Sequence, residues 1–192
     1  MSSVKSTPGA KQPGAKASDT SIDILIIIDT DRLKQAFPNG GSKDSNNPTP
    51  IDHSYEFMYC TGAPSQNAGS GNLSFTANVG DFVSFFGTSI YANSDDAVIV
   101  YGIVPINGQP NLFNPFQVDL ITRNQAVEPN PNTQNGIPAQ TTQITFSSLT
   151  SRVKQGGQSE GYWVQFGLYT LVNGETQQLY GYFAWDPTII VN

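Results

Sequence analysis

Tyr162-Trp163-Val164-Gln165-Phe166-Gly167-Leu168-Tyr169-Thr170-Leu171 and Gln178-Leu179-Tyr180-Gly181-Tyr182-Phe183-Ala184-Trp185 stand on either side of Val172-Asn173-Gly174-Glu175. Both flanks are rich in aromatic and β-branched residues, which suit a pleated surface. An Asn-Gly pair accepts the positive φ angles of a tight hairpin turn. The stretch therefore predicts an antiparallel hairpin, and the fold is read outward from it as β.

The same signals recur along the chain. Ile24-Leu25-Ile26-Ile27-Ile28 is a continuous aliphatic run, which suits a strand buried on both faces. Asp29-Thr30-Asp31 ends it, and Arg32 to Phe37 is long enough for one helical turn before Pro38 and Asn39-Gly40-Gly41. Further strands are expected at Tyr55–Thr61, Leu73–Ala77, Phe82–Thr88, Ala97–Val104, Phe116–Thr122, Gln143–Phe146 and Thr188–Val191. Two Asn/Pro/Gly-rich segments, Gly40–Pro50 and Asn124–Ala139, read as irregular loops with room for a pocket between them. Nine or ten short strands with frequent turns predict an all-β fold. The expectation is an antiparallel β-sandwich, with a jelly roll as one version of it. Most of the aromatics are then core and cross-strand packing.

Residues 1–20 differ from the rest. They are Gly, Pro, Ser, Ala and Lys, with Pro-Gly-Ala-Lys occurring at Pro8 and again at Pro13. Such a composition buries too little to offset the entropy of ordering, so a flexible tail is expected there. A single sandwich domain is expected over residues 21–192.

Composition narrows the function classes. Of 192 residues only 12% are charged and the net charge is -6. Nucleic-acid binding needs clustered Lys and Arg, and no cluster is present. No apolar segment follows the N-terminal lysines as a signal peptide would require, and the run ending at Ile28 is far too short for a membrane span. The expected location is cytoplasmic, as inclusions or released by a route without a signal. Cys60 is the only cysteine, so a disulfide within the chain is impossible. The only histidine, His53, is seven residues from it, and that pair alone makes a weak nucleophile-base candidate. No phosphate loop or Gly-x-Ser-x-Gly elbow appears. The reading is a protein that binds or assembles and does not catalyse.

Longer phrases carry a resemblance. They are Asp29-Thr30-Asp31, then Phe57-Met58-Tyr59-Cys60-Thr61-Gly62, then Gly80-Asp81-Phe82-Val83-Ser84-Phe85. Gly87-Thr88-Ser89-Ile90-Tyr91 and Asn93-Ser94-Asp95-Asp96-Ala97-Val98-Ile99 follow. Leu120-Ile121-Thr122-Arg123-Asn124 and Leu179-Tyr180-Gly181-Tyr182-Phe183-Ala184-Trp185-Asp186-Pro187-Thr188 complete the set. Together they resemble the bacterial PixA/AidA family of inclusion body proteins over Ile22 to Val191. The resemblance implies a protein without enzymatic activity. Some members accumulate as inclusions, others are tied to quorum-sensing control or to life on a host, and some look like sugar-binding proteins. Two functions are therefore expected: a lectin-like module that binds a glycan in contact with a host or other cells, and a self-assembling storage or structural protein. Both fit a homo-oligomer. PixA-like members are called methionine-rich, and this chain departs from that with only Met1 and Met58.

For a lectin, calcium is the natural cofactor, since it takes six to eight oxygen ligands. Asn93, Asp95 and Asp96 form an oxygen-rich turn that supplies three. Asp29 and Asp31, two apart and so on one face of an extended segment, or Asn111 and Asn114, are candidates to complete the set. His53 is a candidate to hydrogen-bond a sugar hydroxyl. Trp163 and Trp185 are the natural stacking platforms. Simpler readings of these residues rank first: a local Asx turn at Asn93–Asp96, a helix N-cap at Asp29–Asp31, a loop histidine at His53, and core packing for both tryptophans.

Overall fold

In the computed structural model of the chain, residues 20–159, 161–187 and 189–191 are described. Apart from Thr20, the tail expected over 1–20 lies outside them. In chain order the elements are β1 (Ser21–Ile28), α1 (Thr30–Ala36), β2 (Thr49–Pro50), β3 (Glu56–Thr61), β4 (Ser65–Gln66) and β5 (Ser74–Ala77). There follow β6 (Phe82–Ser89), β7 (Asp96–Pro105), β8 (Gln117–Glu128), β9 (Gln140–Arg152), β10 (Gly157–Ser159), β11 (Tyr162–Val172), β12 (Thr176–Trp185) and β13 (Ile189–Val191).

The strands form three sheets, ordered β3-β1-β6-β9-β8, β2-β12-β11-β7 and β10-β13-β5-β4. The result is a sandwich-like all-β fold. Most pairs are antiparallel, but β1 runs parallel to β6, β2 to β12 and β5 to β13. The hairpin read first from the sequence is β11–β12. Asn173 and Gly174 have φ of 55° and 73°, and the Glu175 N–H donates to the Val172 carbonyl at 3.3 Å. That local geometry sets the register that places Phe166 opposite Phe183 and Val164 opposite Trp185.

One continuous core joins the sheets. Ile22, Ile24, Ile26 and Ile28 of β1 share it with Val83 and Phe85 of β6, and with Val164, Phe166, Leu168, Phe183 and Trp185 of β11 and β12. Rings carry the packing across elements: Phe75 is edge-on to Phe85, Phe113 to Tyr162, and Phe166 to Trp185. Asp29 caps α1 by accepting a hydrogen bond from the Arg32 N–H at 3.1 Å, as its position before a helical turn predicts.

Two expectations fail in an instructive way. The Ile24–Ile28 run is not buried on both faces. Burial alternates along β1, and Leu25 is 41% exposed. A continuous apolar run therefore does not mark a doubly covered strand here, because the outer face of this sheet is itself apolar. The second failure is Asn124–Ala139, which is not all irregular. β8 continues to Glu128 and β9 begins at Gln140, so these strands pair over most of their length as a long hairpin. Only Leu149–Arg152 of β9 pairs with β6, so the rest of the hairpin runs past the sheet as a two-stranded ribbon. The sequence marked strands only at Phe116–Thr122 and Gln143–Phe146, because beyond them neither strand buries a full face in the core.

Candidate functional site

The acidic residues singled out by sequence do converge, but around a lysine. Asp96 starts β7 and is 2% exposed. Its carboxylate takes a 2.6 Å ion pair from the Lys34 ammonium on α1 and a 2.7 Å hydrogen bond from the Thr170 hydroxyl on β11. Burial alone would raise the Asp96 pKa, but the bonds from Lys34 and Thr170 outweigh it and hold the carboxyl below its usual value. Asp31 lies 3.8 Å from the same ammonium and accepts the Tyr91 hydroxyl at 2.6 Å. Asn93 spends its side-chain oxygen on the Ser89 and Val98 N–H groups at 2.9 Å each, which closes the β6–β7 turn. Asp29 is the helix cap, and Asp95 is exposed beside Ser94. The five residues expected to hold calcium thus have other work, and a cation already neutralises the two best placed. No group of three or more His, Cys, Asp or Glu side chains with metal-binding geometry occurs among the described residues.

The other candidates lie elsewhere. The Asn111 side chain accepts the Phe113 N–H at 3.1 Å, and Asn114 is exposed beside β9. Neither joins the turn at Asn93. His53 is a half-buried tether: its ring nitrogens lie 3.0 Å from the Gly71 carbonyl and 2.9 Å from Asp186 Oδ1. Neighbouring Glu56 on β3 is buried. Desolvation pushes its carboxyl up to about 8, against a weaker opposing bond from the Tyr55 N–H, so it carries its proton at neutral pH. Its Oε1 has no hydrogen-bond partner among the described residues. Burial, with Asp23 nearby, also pushes the Cys60 thiol up, opposite to what an activated nucleophile needs.

Two of the concavities among the described residues bear on function, and the sequence marked neither as a unit. The first, of about 460 Å³, is lined by Asn46, Asn47, Pro48, Pro50, Asn107, Trp163, Gln165 and Ala184. Trp163 and Gln165 share a face of β11, opposite the core-facing Tyr162, Val164 and Phe166. Trp163 is half-buried here, whereas Trp185 is wholly in the core. Neither of these two concavities is lined by both Gly40–Pro50 and Asn124–Ala139, between which a pocket was expected. The first segment instead lies on β12, where Gly181 would clash with Gly41 if it carried a Cβ and the Tyr182 N–H donates to the Ser42 carbonyl at 2.8 Å. The alternation of Trp163 and Gln165 was a readable signal. The arrival of Asn46, Asn47 and Asn107 was not, since it depends on tertiary packing.

The second concavity, of about 750 Å³, lies on the apolar outer face of β3, β1 and β6, where Leu25, Tyr59 and Phe86 meet Ile144 and Phe146 of the ribbon. The ribbon itself is bare. Val118 is 67% exposed, Leu120 64% and Val127 72%, and Asp119, Arg123 and Glu128 are its only charges. No helix among the described residues is long and apolar enough to cross a membrane.

The sequence profile of PixA, described as inclusion body protein, matches residues 20–191. A crystal structure of an inclusion body protein (PixA) from Burkholderia cenocepacia J2315 is similar in both sequence and fold. The identity is 31% and the TM-score 0.72, with 95% of this chain and 100% of that one covered. No curated protein matches the chain.

Proposed function

The chain belongs to the PixA inclusion body protein family, and from that premise we propose that it works by self-association, accumulating as protein inclusions in the cytoplasm. The observation that carries this reading is the β8–β9 ribbon, whose apolar side chains stand in water on both faces. Soluble monomers rarely keep such surface without a use for it. A surface with few charges adds to the tendency, since like-charge repulsion between copies is weak. A Cys60 thiol pushed up by burial and a His53 held between Gly71 and Asp186 support a reading without catalysis.

The test is direct. The full chain is expressed, the cells are imaged for ordered particles, and the purified protein is followed by light scattering as its concentration rises. Particles, or a mass that grows with concentration, support assembly. Dispersed protein in cells together with a constant monomer mass overturns it.

A second reading is carbohydrate binding, favoured by the Trp163 cleft. A half-exposed indole beside the amides of Asn46, Asn47, Asn107 and Gln165 offers a sugar an apolar platform and hydrogen-bonding edges. A glycan array run with calcium and again with EDTA tests it. Binding that survives EDTA and is lost in Trp163→Ala supports the cleft. Binding lost in EDTA points to a metal instead, and none in either condition removes the reading.

A further inference from the structure

We propose that the outer edge of β8 docks on the same edge of a second copy of this chain, antiparallel across a two-fold axis at Ile121. This rests on the assembly reading and names its contact. β8 ends its sheet, so the side of the strand away from β9 has no neighbouring strand among the described residues. Edge strands usually carry Pro, Lys or another guard against such pairing. β8 has neither residue over Gln117–Glu128, and its only irregularity is a register shift after Arg123.

Charge selects the occupant and the register. Asp119 and Arg123 face β9 residues that carry no charge, Ser148 and Ile144. Neither is in an ion pair among the described residues. Four positions apart on a strand, they are separated by about 14 Å and cannot pair with each other. An antiparallel copy centred on Ile121 puts Asp119 opposite the second copy's Arg123, and Arg123 opposite its Asp119. Moving the centre by one residue loses both matches. The strand is thus complementary to itself in one register, as a two-fold interface requires. Its central pair, Ile121 on Ile121, is apolar. Pairing also turns a two-stranded ribbon, marginal alone, into four strands.

The ribbon sets the strength. In this register Gln117 to Gln125 pair, and that length, with two strands' width, gives roughly 300 Å² on each face. That falls in the small class of interfaces, so a weak, concentration-dependent dimer is expected.

Sedimentation velocity on the full chain, from on the order of 10 µM to 1 mM, measures the dimer. Asp119→Arg or Arg123→Asp alone sets like charges opposite at two symmetric places and weakens it roughly tenfold or more. The double variant Asp119→Arg/Arg123→Asp restores it. Both side chains are exposed, and melting temperature checks that each variant folds. In a Cys60→Ser background, Ile121→Cys cross-links to itself on oxidation and Val127→Cys does not. A dimer indifferent to the reversals, or single reversals that the double does not rescue, overturns the edge contact while leaving self-association standing. A wild-type monomer throughout the range overturns the contact. If cells then also lack particles, the assembly reading falls with it.

Discussion

The molecule contains two long hairpins, and they obey different rules. β11–β12 is covered on one face, where Val164, Phe166, Leu168, Phe183 and Trp185 lie in the core. β8–β9 has no residue in the core beyond its base, where only Ile144 and Phe146 meet the groove of β3, β1 and β6. The first is held by burial, each large side chain contributing about 1.5–3 kcal/mol. The second is held by its ladder and by polar pairs across it: Thr122 with Thr145 at 2.9 Å, Asn124 with Gln143 at 2.8 Å, and Glu128 with Gln140 at 2.7 Å. Such pairs are worth a few tenths of a kcal/mol to about 1 kcal/mol each. The body thus supplies stability, and the ribbon is free to serve another purpose.

The largest effect that follows belongs to the body. Phe166 is fully buried, stacked on Phe183 at 5.6 Å and edge-on to Trp185 at 5.7 Å. Phe166→Ala leaves a cavity in the centre of β11 and is expected to cost about 3–5 kcal/mol in chemical denaturation. A loss below about 1 kcal/mol would mean that burial does not hold this hairpin, and the contrast with the ribbon would collapse.

Charge sharpens the same contrast. Asp119 stands in water on the ribbon, whereas Glu56 is buried in the body and keeps its proton up to about 8. In the unfolded chain Glu56 loses that proton near its ordinary value of 4.5. Between these two points the folded state binds more protons than the unfolded one, so stability falls as pH rises, by at most about 1.4 kcal/mol per unit. Below pH 4.5 the group contributes nothing to the slope. Glu56→Gln removes the titration. The variant is expected to match the parent at pH 4 and exceed it by about 4 kcal/mol at pH 8. A parent and variant that run parallel from pH 4 to 8 would show that Glu56 ionises as freely as a surface carboxylate.

The two hairpins also mark what the sequence made legible. Asn173-Gly174 between aromatic runs announced β11–β12, because its turn chemistry and its core pattern are both local. β8–β9 was readable only near Val118 and Leu120 and again near Ile144, since Asn124-Gln125 and Thr141-Thr142-Gln143 show no core-facing alternation. A strand with no face in the core has little reason to alternate. β1 failed in the opposite sense: its isoleucines promised two buried faces, and one turned out to line a groove. At the candidate sites, the N-cap role of Asp29 and the turn role of Asn93 follow from residue type and neighbours. The pairing of Asp96 with Lys34, 62 residues away, and the meeting of Trp163 with Asn46 and Asn107 depend on tertiary contacts that no local pattern encodes.

The smallest expected effect tests the ribbon itself. Leu120 is 64% exposed, so Leu120→Thr removes almost no buried surface and keeps strand propensity. Its effect on the unfolding free energy of dilute protein should stay within about 0.5 kcal/mol. Native-state hydrogen exchange adds the spatial part. In dilute protein the amides of Leu120 to Val127 are expected to exchange through local opening of the ribbon, well below the protection of Phe166 or Phe183. At high concentration an edge held by a second copy gains protection in β8, while the core amides of β11 are unchanged. Ribbon amides protected as strongly as the core in dilute monomer would show that the ribbon needs no partner. The contrast between the two hairpins would then be one of surface alone and not of stability.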